Sequence, residues 1–162
     1  MVKISLTVEQ WVALQQQLPD GAGQIPVWFQ VTGVSMLPFI RPFRDNVMIV
    51  AVSEEELIVG DIVLYPGKHK GGDYCLHRLF RMEGNRVQTF GDGNRHPDYW
   101  QPKSQILGKV VLIKRGRLII DCESPLWVRL FRLWNELLPL RPILLLPFQV
   151  MNKLHRLFPK FF

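Results

Sequence analysis

YCLHRLFRMEGNRVQTFGDGN, residues 74–94, carries the reading of the fold. Tyr74 to Met82 and Arg86 to Phe90 read as two strands joined through Glu83-Gly84-Asn85, a turn suited to a hairpin. The pattern extends in both directions. Val27 to Thr32, Asn46 to Val52 and Asp61 to Tyr65 are strands upstream, with the acidic turn Ser53-Glu54-Glu55-Glu56 between the last two. Lys68 to Asp73 is a glycine-rich solvated loop, and His69 within it reads as solvated too. Downstream, Ile106 to Ile113 and Arg117 to Asp121 make a second hairpin, turning at Lys114-Arg115-Gly116. Many short strands with glycine turns predict a mainly β body.

Helices are expected at both ends. In Thr7 to Leu18, Thr7-x-x-Gln10 is a capping box, and Trp11, Leu14 and Leu18 share a face until Pro19-Asp20-Gly21 ends it. From Pro125, the residues Trp127, Leu130, Phe131, Trp134, Leu137 and Leu138 recur at helical spacing, with Arg129 and Arg132 beside them. Prolines at 139, 142 and 147 then interrupt, and Met151 to Phe158 reads as a last short basic helix. The expected division is a body over 1–124 and a basic amphipathic tail over 125–162.

At 162 residues the chain suits one body with a real core. Its 48% hydrophobic and 21% charged content exclude a disordered chain. Two cysteines, Cys75 and Cys122, make no disulfide framework, so no oxidising compartment is implied. The net charge of +6 is unevenly placed: residues 125–162 hold six Lys and Arg against Glu136 alone. The body is therefore nearly neutral, and nucleic acid is not an expected partner. Met1 to Leu18 has no apolar core of a secretory signal, and no stretch reaches the ~18 apolar residues of a span. The expected location is cytoplasmic or peripheral at a membrane. Basic residues among Trp and Phe in the tail suit contact with a membrane interface, packing of the Trp127 to Leu138 helix onto the body being the other reading.

Four segments stand in order: Gly33-Val34-Ser35-Met36-Leu37-Pro38, Gly60-Asp61-Ile62-Val63, Leu76-His77-Arg78-Leu79 and Gly91-Asp92-Gly93-Asn94, with Asp98 following. In order and rough spacing they resemble the S24/S26 serine peptidases, which include signal peptidases I and LexA-type self-cleaving proteins. The resemblance covers about residues 26 to 116. It implies a β fold of the signal peptidase and LexA C-terminal type, a serine peptidase activity and a catalytic Ser35. In most of the family the position of His77 is a lysine. The endoplasmic-reticulum and archaeal signal peptidases have histidine there, and this chain looks like that variant.

A serine hydroxyl needs a base within hydrogen-bond reach. An imidazole, with an unperturbed pKa near ~6.5, accepts a proton at neutral pH without heavy desolvation. A third group should orient it. The family box offers Asp92 and Asp98; Asp98 matches its terminal aspartate and is the expected partner of His77, while Asp92 is expected to fix the turn. The oxyanion would take the Ser35 N–H. Signal peptidases usually carry a hydroxyl two residues before the nucleophile, where this chain has Gly33, which is closer to the LexA form. No cofactor and no metal are expected.

Each motif also has a plainer reading. Ser-Met-x-Pro alone is more often a turn than a nucleophile, and Asp61 reads as a structural turn residue. His96 is a rival base, but falls where the family is variable. Cys75 shares a strand face with His77, so a Cys/His pair is conceivable, though a buried strand cysteine fits better. The resemblance implies a substrate with a leader or signal-like segment, cut after small side chains. A self-cleaving regulator is one alternative, but Ala22-Gly23 lies only 12 residues before Ser35 and the family lysine is missing. An inactive peptide-binding relative is the other, and only Gly33 favours it.

Overall fold

A computed structural model describes residues 7–17, 25–67, 74–137 and positions 140, 143 and 146. The expectations for Pro19 to Gly21, for the Lys68 to Asp73 loop and for Met151 to Phe158 lie outside the described residues. The protein is mainly β, an antiparallel sheet with two helices. Its strands are β1 (Val27–Gln30), β2 (Asp45–Val50), β3 (Ile62–Pro66), β4 (Tyr74–Glu83), β5 (Arg86–Phe90), β6 (Gln101–Pro102), β7 (Gly108–Arg115) and β8 (Leu118–Asp121). Along the sheet they run β1-β2-β7-β3-β4-β5-β6, with β8 also on β7. Two expected hairpins are present, β4–β5 and β7–β8. Gly84 and Gly116 stand at their turns with φ of +54° and +59°, a region that L side chains rarely enter.

Helix α1 (Val8–Gln16) starts with the capping box: Gln10 N–H donates to Thr7 Oγ1 at 3.2 Å, and Thr7 N–H to Gln10 Oε1 at 2.9 Å. Trp11 is its anchor, fully buried and donating through Nε1 to the Ile25 carbonyl. Helix α2 (Pro125–Glu136) opens with proline, which is preorganised for a first turn and lacks an N–H that would go unused there.

β3 shows how the sheet is covered. Ile62 and Leu64 point into one core cluster, with Trp11, Met36, Ile40, Val47 and Phe131, while Val63 and Tyr65 join a second, with Leu57, Leu79, Val87 and Ile106. Burial on both faces explains the unbroken apolar run Ile62-Val63-Leu64-Tyr65. The expected boundary at 124/125 falls between β8 and α2. Phe131 of α2 is itself a core residue, touching Phe39 edge-on, so this helix packs on the sheet as part of the body.

Candidate active site

Ser35 sits in a turn fixed from both ends. Leu37 N–H donates to the Val34 carbonyl and Ile40 N–H to the Met36 carbonyl, while Met36 and Ile40 bury their side chains below. Leu37–Pro38 is a cis peptide. At the far end Arg115 donates to the Phe39 carbonyl and pairs with the buried Asp45, tying the turn to β7. The Gly91–Asn94 loop lies against the near end, where Gly93 N–H donates to the Ser35 carbonyl at 2.7 Å. A Cβ on Gly91 would stand 2.8 Å from that same carbonyl oxygen, and one on Gly93 would stand 3.1 Å from the Leu37 oxygen. The glycines of the Gly-Asp-Gly box are thus explained by how closely the loop approaches the serine turn.

His77 comes from β4, opposite Val63 of β3. It is buried, and its Nδ1 lies 2.6 Å from Asp98 Oδ2. Opposite a carboxylate the proton belongs on Nδ1, which leaves Nε2 as the basic nitrogen. Two hydroxyls converge on the same carboxylate oxygen, Tyr65 at 3.0 Å and Thr89 at 2.8 Å. The Tyr65 oxygen also stands 2.9 Å from Nδ1, where it can accept a share of the N–H that points to Asp98. The Asp98 backbone is anchored too: its N–H donates to the Thr89 carbonyl, and its own carbonyl accepts from Gln88.

Burial pulls the Asp98 carboxyl upward, but the bonds from His77, Thr89 and Tyr65 outweigh it and hold the group below its ordinary value. Burial, reinforced by the negative charge of Asp98, pushes the Tyr65 phenol well above the usual range, so it stays protonated and donates. A depressed carboxyl contributes stability that is present above its ordinary value of 3.8 and disappears as pH falls through the lower folded one. Acid unfolding followed by circular dichroism should therefore be shallower below that pH in Asp98→Asn than in the parent.

Neighbouring residues on a strand face opposite ways, and this separates the two candidate aspartates. Arg78, next to His77, points into the other core and takes Asp92 in a two-pronged ion pair of 2.8 and 2.6 Å, fully buried on both sides. Its remaining arm donates to the Gly60 carbonyl, and its guanidinium lies over the Phe131 ring at 3.9 Å. Asp92, the other candidate for orienting His77, is bound to Arg78 instead, and it secures the glycine loop. Asp61 caps its own turn by accepting from Ile58 N–H. His96 is exposed beyond Asn94. His69 lies outside the described residues.

Ser35, Cys75 and His77 line one cleft of about 580 Å³, walled by Phe29, Val31, Met36 and Leu64 and edged by Val8 and Glu9 of α1. No hydrogen bond joins Ser35 Oγ to His77 among the described residues. Neither cysteine is in a disulfide. Burial pushes the Cys122 thiol up to about 12, which makes it a core group rather than a nucleophile.

Sequence reasoning misses Tyr65 and Thr89 as site residues. Both belong to expected strands, but their meeting with His77 depends on register: Tyr65 opposite Cys75, Thr89 opposite Leu79. Two-residue periodicity then brings both onto the His77 face, a fact that follows only once the pairing is known. Comparison with protein-family models, with curated proteins and with solved structures finds no match to this chain.

Proposed function

We propose that this protein is a serine endopeptidase of the S24/S26, signal-peptidase-like type, with Ser35 as nucleophile, His77 as general base and Asp98 as the residue that orients it. One observation carries the reading: a histidine held by a carboxylate through Nδ1 opens on the same apolar cleft as the serine of a glycine-keyed turn. Ser35 Oγ attacks the scissile carbonyl while His77 Nε2 takes its proton, and the negative charge of Asp98 stabilises the imidazolium. The Ser35 N–H makes no backbone hydrogen bond among the described residues, and in this reading it donates to the oxyanion. The imidazolium then protonates the leaving amine, and water activated by His77 releases the acyl group. In free enzymes the nucleophile–base bond is often loose and tightens with substrate, which fits the missing Ser35–His77 bond. The apolar walls suit an extended segment with small or aliphatic side chains, as in a leader or signal-like sequence.

Incubation with a peptide library and mass spectrometry of the products tests this, with cleavage expected from the parent and none from Ser35→Ala. Equal cleavage by Ser35→Ala ends the serine mechanism, and loss of activity only in Cys75→Ala would move the nucleophile to the cysteine.

Tyr65 is a positioning residue for the same reaction. Tyr65→Phe keeps the ring and removes one donor to a charged carboxylate, so kcat should fall about tenfold with KM unchanged. A KM effect with unchanged kcat would show that the hydroxyl serves the cleft, not the histidine.

A further inference from the structure

Helix α2 has two different faces. Inward it buries Phe131 at 3% exposure, with Trp127, Val128 and Trp134 half-buried around it. Outward, Leu126, Leu130 and Leu133 are 72, 37 and 50% exposed. At about 100° per residue these leucines form one strip, with Arg129 and Arg132 on the strip beside them. Both arginines are exposed, as is Glu136 near the helix end. Packing on the sheet satisfies the inner face alone, so the outer leucines are not explained by folding.

We propose that this outer face lies on an anionic lipid surface, with the leucines at the acyl boundary and Arg129 and Arg132 at the headgroups. Charge selects the occupant. A second copy of the chain on this face would set Arg129, Arg132 and Glu136 against the same three, a net like charge on both sides, whereas an anionic surface attracts that charge. The residues after α2 add four more Lys and Arg and no Asp or Glu. At 12 residues α2 is shorter than the roughly 20 that a span requires, so the contact runs along the surface. This inference does not rest on the peptidase reading, because binding is measured without turnover.

The test is co-sedimentation of the full chain with vesicles of phosphatidylcholine alone or mixed with phosphatidylglycerol. The parent should bind the mixed vesicles, bind the neutral ones far more weakly, and be released as salt rises. Arg129→Gln with Arg132→Gln should weaken binding about 30-fold, from two charges near the surface. Leu130→Gln with Leu133→Gln should weaken it at least about tenfold. All four positions are exposed, and circular dichroism melts of both variants should match the parent. Parental binding by both variants would overturn the proposal by assigning the contact to other residues. Equal binding to neutral and anionic vesicles would also overturn it. So would an absence of vesicle binding together with a dimer, in sedimentation equilibrium, that the leucine variant disperses.

Discussion

Ser35→Ala and His77→Ala should each reduce turnover by at least ~10⁴-fold while leaving the thermal melt close to that of the parent. The serine is half-buried and makes no side-chain hydrogen bond among the described residues, so its loss removes little from the fold. His77 is more embedded, and its replacement frees Asp98 Oδ2 of one donor while Tyr65 and Thr89 still supply two. The double variant should be scarcely slower than either single one, because a nucleophile without its base and a base without its nucleophile are equally idle. Steady-state rates on one cleaved peptide decide this. Additive losses would mean that the two residues act in separate steps.

The largest effect on stability should come from the buried ion pair. Asp92→Ala leaves the Arg78 guanidinium fully buried with its charge uncompensated, which costs about 3–5 kcal/mol. For a chain of this size that lowers the melting temperature by roughly 10–15 °C. Replacing both partners, as in Arg78→Met with Asp92→Leu, should recover much of the loss, since an apolar pair needs no desolvation. Activity should not recover with it, because the loop that donates Gly93 N–H to the Ser35 carbonyl would have lost its anchor. A scanning melt beside a rate measurement separates the two effects. A double variant as unstable as Asp92→Ala would show that the arginine matters for more than its charge.

What could be read in the residues, and what could not, divides along local and long-range structure. Strand β5 occupies Arg86 to Phe90 as its residues indicate, and the Thr7–Gln10 capping box forms, because hairpin turns and helix caps are settled by residues close in the chain. The two-residue strand β6 carries too little pattern to be seen. Helical spacing puts Leu130 on one face with Phe131, yet it turns outward, since spacing alone does not reveal how wide a stripe the sheet can cover. At the candidate site His77 and Asp98 are legible as a pair and lie in contact. The order of the resembling box assigns Asp98 to His77 and Asp92 to the turn, but not what holds Asp92; that is Arg78, one residue along β4 and so on its opposite face. Tyr65 is distant in sequence from both residues it touches, and no local pattern marks such a residue.

Arg78 also sets an order of events. Its partners are spread along the chain: Phe39 within 5.5 Å, Gly60, Asp92 and finally Phe131. Phe131 and Trp134 both press on Phe39, which belongs to the turn that presents Ser35. Helix α2 therefore holds the serine turn in place and caps the cation that secures the glycine loop. A ribosome delivers that helix after every residue of the candidate triad. While it is still in the exit tunnel, Ser35, His77 and Asp98 have emerged without the support that aligns them. In the proposed peptidase, the serine turn and the glycine loop would therefore gain this support only once α2 has docked.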